Sequence, residues 1–213
     1  MKKLNLMVAL LVIAGLIGAP VAFATAISTP SIPIKASVSG TLTLTVNLYK
    51  GSATGPTGSI LTEINFGTLQ EKTFVVGGVT YKELRSDDAG GMGEVIAMIT
   101  ANSHSTAYTI SQVGTALTSG SNTIPAGASV CVPAYATQDN GGVAKPAAAV
   151  VGTAGSWVGS RTIYTSEAAP AAMRTVQAHY AITGDSASGA TTACPLNQPA
   201  GNYVGSTVIT VTA

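Results

Sequence analysis

Charge is scarce in this chain. Asp, Glu, Lys and Arg make up 9% of its 213 residues, against about 25% in an ordinary soluble domain. That scarcity argues against partners recognised through clustered basic residues, nucleic acid and anionic lipid above all. Histidine is nearly absent as well. His104 and His179 are the only two, and neither stands in a pattern that would activate a nucleophile or complete a metal site. Ser103-His104-Ser105 is the one local pairing, and neighbours on a strand point to opposite faces. Asp87, Asp88 and Glu94 flank Gly90 and Gly91, but their spacing fits no calcium loop, so they read as an exposed acidic turn. The glycine clusters match no phosphate loop. The expectation is a protein that is not an enzyme, with no catalytic residue, cofactor or metal.

Long apolar runs are confined to the N-terminus. Met1-Lys-Lys3 is basic, Leu4 to Gly18 is interrupted only by Asn5, and Ala22-Phe-Ala24 and Ala24-Thr-Ala26 both offer small-x-small cleavage sites. This is the anatomy of a secretory signal peptide, expected over residues 1–26. The run is shorter than the roughly 20 residues a spanning helix needs, and no later stretch is long enough. The mature chain is therefore expected to be secreted, with no membrane span. It keeps eight Lys/Arg against nine Asp/Glu, and so weak a net charge leaves little repulsion between copies.

Cysteine is limited to Cys131 and Cys194. Beyond a signal peptide, the expectation is one disulfide between them. Closing a loop of about 60 residues would contribute roughly 4 kcal/mol. A metal pair is the alternative, without supporting ligands.

What the sequence has is alternation. Ile27 to Ser39 is an extended segment in which Ile32, Ile34, Ala36 and Val38 alternate with Pro33, Lys35, Ser37 and Ser39. Gly40 follows as a hinge. Leu42, Leu44, Val46 and Leu48 then share one face of a strand over 41–49. Further strands are expected at 60–66, 94–101, 106–112, 129–137, 161–165, 174–183 and 203–212. A hairpin over 73–81 turns at Gly77-Gly78. Residues 138–159 read as the longest irregular stretch, with Trp157 pinning it to the body. In the last strand Tyr203, Gly205, Thr207, Ile209 and Val211 share a face. No helical stripe is present. Short strands separated by Gly, Asn and Ser indicate an all-β sandwich or barrel.

The order Asn65-Phe-Gly-Thr68, Ala107-Tyr-Thr-Ile110, Val132-Pro-Ala-Tyr135, Thr175-Val-Gln-Ala-His-Tyr180 and Pro199 to Val211 resembles the spore coat protein U domain, a relative of archaic chaperone–usher pilins. The resemblance spans residues 41–213. It implies an immunoglobulin-like Greek-key β-sandwich completed by an N-terminal donor strand from a neighbouring subunit. Ile32, Ile34, Ala36 and Val38 of residues 27–40 would be the donor side chains. Tyr203, Ile209 and Val211 would line the acceptor. Pro30 and Pro33 lack an N–H, which confines pairing to positions beyond Pro33 or to one edge.

The expected function is an exported structural subunit of an extracellular filament, pilus or coat. Its partners would be other copies of itself, served by a periplasmic chaperone and an outer-membrane usher. The alternative is a self-contained secreted surface- or carbohydrate-binding sandwich, in which residues 27–39 pair within their own sheet.

Overall fold

The structure, a computed structural model, describes residues 26–29, 35–38, 42–51, 55–76, 79–86, 94–103, 106–168 and 172–213. The expected signal peptide up to residue 25, Ile32, Ile34, Gly40, the Gly77-Gly78 turn, Asp87, Asp88 and His104 lie outside the described residues.

The chain opens with β1 (Ala26–Thr29), β2 (Lys35–Val38), β3 (Leu42–Lys50) and β4 (Thr57–Leu61). A hairpin follows, β5 (Gln70–Val76) and β6 (Val79–Arg85). Then come β7 (Val95–Asn102), β8 (Thr109–Gly114), β9 (Thr118–Ser119), β10 (Asn122–Thr123) and β11 (Ser129–Tyr135). The remaining strands are β12 (Val150–Val151), β13 (Gly155–Ser156), β14 (Gly159–Thr165), β15 (Arg174–Ile182) and β16 (Thr207–Thr212). No α-helix occurs among the described residues.

Two sheets carry the fold. One has the order β1-β16-β8-β14-β12; the other is β13-β11-β15-β7-β3-β2, with β4 also on β3. The ladders between these strands are antiparallel. The protein is therefore all-β, with a sandwich-like core fed from both sheets. Alternation decides which side chains enter it. Leu42, Leu44, Val46 and Leu48 of β3 are buried while Thr43, Thr45 and Asn47 between them are only partly so. Val176, Ala178, Tyr180 and Ile182 do the same on β15, and Thr207, Ile209 and Val211 on β16. Ile110 and Ile163 join them from the first sheet. Each fully buried Leu, Ile or Val contributes about 1.5–3 kcal/mol.

Three expected strands are shifted, the one expected over 106–112 running instead from Thr109 to Gly114. The one expected over 60–66 ends at Leu61. Beyond it, the Asn65 Oδ1 accepts the Gly67 N–H at 2.8 Å and Gly67 has a φ of 64°, so the chain turns away from the ladder. The last strand begins at Thr207 rather than Tyr203. Val204 instead exchanges backbone hydrogen bonds with Thr118, 2.9 Å each way. Within the stretch expected to be irregular, β12 and β13 each pair with a main strand.

The N-terminal segment touches both sheets. β1 runs along β16, from Ala26 opposite Thr212 to Thr29 opposite Ile209. β2 runs along β3, from Lys35 opposite Thr45 to Val38 opposite Leu42. Pro30 and Pro33 lie outside the described residues.

Candidate functional site

A groove of about 1060 Å³ opens beside β16. One wall is the irregular segment 63–69, bent by its Asn65 turn. The opposite wall runs from Gln198 to Thr207, and Trp157, Tyr180 and Ile182 are among the residues between. Among the described lining residues only Glu63 carries charge, and it accepts a hydrogen bond from Asn65 Nδ2 at 3.0 Å. A partly aromatic groove whose one charged lining residue is a carboxylate suits a chain segment or a neutral ligand better than an anion.

Trp157 organises the floor. Its indole stacks on Phe66 with centroids 5.2 Å apart and planes 8° from parallel. It also meets Tyr180 at 5.9 Å in a tilted arrangement. The Trp157 backbone N–H donates to Ser129 O at 2.9 Å, and its backbone carbonyl accepts from Gln112 Nε2 at 3.2 Å. Gly114 lets β8 come this close, because a Cβ there would lie 2.3 Å from the Trp157 carbonyl oxygen. Trp157 does pin the 138–159 stretch to the body, as expected.

Beneath the floor is a buried polar knot. Gln112 is fully buried; its Oε1 accepts the Tyr180 hydroxyl at 2.5 Å and faces the Cys131 thiol at 3.6 Å. The knot ties β8 of one sheet to β11 and β15 of the other. Arg161 fastens its rim, with Nη1 donating to the carbonyls of Cys131 at 3.1 Å, Gly155 at 2.5 Å and Ser156 at 2.9 Å. Burial pushes the Cys131 thiol up to about 12 against the nearby Arg161 guanidinium. Burial also drives Tyr180 well above its ordinary value. Groups held this firmly neutral serve packing, not proton transfer at neutral pH.

The expected disulfide is not formed. Cys131 and Cys194 are both buried free thiols with different surroundings. Cys131 sits between Gln112 and Tyr180, whereas Cys194 forms a bridge with Leu84. Its thiol is pushed up to about 11 by burial and then by the Glu83 charge.

Of the expected acceptor residues, Ile209 and Val211 lie in the core, opposite Thr29 and Ile27 of β1. Tyr203 lines the groove; its hydroxyl accepts from Gln198 Nε2 at 2.8 Å and donates to Pro199 O at 2.7 Å. Of the expected donor positions, Ala36 and Val38 pair with Leu44 and Leu42 of their own chain. The segment along β16 is Ala26–Thr29.

One polar residue differs from expectation. Glu94 is buried, not part of an exposed turn, and its Oε1 lies 3.2 Å from His179 Nδ1. His179 in turn meets Gln177 Oε1 through Nε2 at 3.0 Å, so it is a partnered, half-buried residue of β15. Among the described residues no cluster of three or more His, Cys, Asp or Glu could hold a metal, and no helix is long and apolar enough to cross a membrane.

The sequence flagged Phe66 through its Asn-Phe-Gly motif and Trp157 as an anchor. It gave no sign that the two rings stack, nor that Gln112 would face Cys131 and Tyr180. No family model, curated protein or solved structure matches the chain.

Proposed function

We propose that this protein is an exported structural subunit of an extracellular filament or coat, and that copies join by strand complementation. The observation that carries the reading is the double role of the N-terminal segment, in which residues 26–29 pair with β16 in one sheet and residues 35–38 with β3 in the other. Without that segment, β16 and β3 would each present unpaired backbone on the same flank. The same segment from a second copy would make the same bonds. Closed and exchanged forms therefore differ in linkage and concentration more than in contacts. The near-neutral surface and the resemblance to the spore coat protein U domain support the same reading. In it, the sandwich is immunoglobulin-like, the leader directs export through the Sec pathway, and a chaperone and usher guide assembly. Cleavage after Ala24 would leave β1 whole.

The test is electron microscopy of the refolded mature chain, with unboiled gel electrophoresis in detergent. Filaments and a ladder of detergent-resistant multimers are expected, both lost on deletion of residues 27–39. Normal assembly by the deleted chain would overturn the reading.

A second reading, a self-contained secreted binding module, is favoured by the pairing of β1 and β2 inside their own chain and by the aromatic floor of the groove. It predicts a concentration-independent monomer by light scattering.

A further inference from the structure

We propose that the β5–β6 hairpin is a hinged flap on the groove, set on a seat that its own buried carboxylate loosens. The hairpin is a two-stranded sheet of its own. Among the described residues it joins the body through the Leu84–Cys194 bridge, through Ser86 and through Leu84 packed against the core. Leu84 N–H donates to Cys194 O at 2.9 Å and Ser86 N–H to Ile182 O at 3.1 Å. Ile182 N–H donates back to Ser86 Oγ at 2.9 Å. Its outer residues Val79 and Tyr81 are exposed. Both roots of the hairpin enter the groove, since Leu69, just before β5, and Leu84 of β6 line it.

Glu83 lies at the seat. It is 0% exposed, and neither carboxylate oxygen has a hydrogen-bond partner. Arg85 Nε lies 3.4 Å from Oε1, close enough to attract but not aligned as a hydrogen bond, and Arg85 is itself 29% exposed. Lys72 stands opposite Glu83 in the ladder, and the Cys194 thiol feels its charge. The remaining side is closed by backbone: a Cβ on Gly184 would come within 2.0 Å of Oε2. A carboxylate removed from water with so few donors opposes its own burial. Lifting the hairpin hydrates Glu83 and withdraws Leu69 and Leu84 from the wall, which widens the groove. Local openings of this kind draw on the least stable part of a fold. The flap stands on the seat alone; its use in admitting a chain segment rests on the proposed function.

The test is hydrogen exchange at the Leu84 and Ser86 amides of the purified protein. Glu83→Met removes the charge and keeps the bulk, and should slow exchange there about tenfold or more, with amides of β7 and β8 unchanged. Arg85→Met, which strips the nearest cation, should speed it. Unchanged or faster exchange in Glu83→Met would mean that the carboxylate holds the seat, and would overturn the flap. If that variant does not fold, Glu83→Gln is read on the same two amides with the same criteria. A peptide of residues 27–39 separates the two ideas. Slower capture by Glu83→Met supports both, whereas slowed exchange with unaltered capture keeps the flap and removes the segment-binding role.

Discussion

The Phe66 ring lies flat on the Trp157 indole, 5.2 Å between centroids and 8° from parallel. A loop on one side of the groove is thereby fixed to the floor. Trp157 is the chain's one tryptophan, so its fluorescence reports on the surroundings of this one ring. Phe66→Ala should shift the emission to longer wavelength. It should cost about 1–3 kcal/mol in a denaturant titration, less than the roughly 3–5 kcal/mol of a fully buried Phe, because Phe66 is only half-buried. An unshifted spectrum would refute the stacking.

Gly114→Ala should be severe for a surface-sized change. The added Cβ meets a backbone oxygen, not a flexible side chain, and such overpacking costs about 1–3 kcal/mol. Thermal unfolding of the variant checks it; an unchanged midpoint would contradict the close approach of β8 to Trp157.

Tyr180→Phe leaves Gln112 Oε1 without its hydroxyl donor in a buried site, at about 1–3 kcal/mol. Adding Gln112→Leu to Tyr180→Phe should cost less than the sum of the two single changes, since the orphaned acceptor leaves with it. Additive losses in a double-mutant cycle would show that the knot is not coupled.

Ile209→Ala on the core face of β16 should cost about 2–4 kcal/mol, whereas Val208→Ala on the other face should cost less than half as much. The contrast tests the facing of the terminal strand by paired denaturant melts.

Both thiols should resist modification in the folded protein and react once it is unfolded. Their folded values, about 12 for Cys131 and about 11 for Cys194, exceed the ordinary 9.0. The neutral form is thus the one the fold favours. The sign follows: this contribution is fully present below pH 9 and is lost as pH rises through 11 and then 12. Stability measured by denaturant should fall from pH 9 upward, and thiol titration in native buffer should stay slow at pH 8.

The strands of the core were legible because period-two alternation is local and strong. β3, β15 and the end of β16 place the residues inward that their patterns indicate. The hairpin over 73–81 was legible from its two glycines, and β5 and β6 pair Phe74 with Tyr81. The groove was not legible, because its walls are irregular segments whose course is set by the Asn65 turn and by Val204 pairing with Thr118. Glu94 read as part of an exposed acidic turn, since burial of a carboxylate depends on neighbours distant in the chain.

The sequence by itself determined the all-β class, the inward side of each long strand and the neutral, charge-poor surface, since these follow from residue type and spacing. Only the tertiary structure decided that β1 and β2 lie on different sheets and that the two cysteines have separate surroundings. It also decided that Phe66 and Trp157 form a floor. Each of these depends on pairing between residues far apart in the chain, which no local pattern encodes.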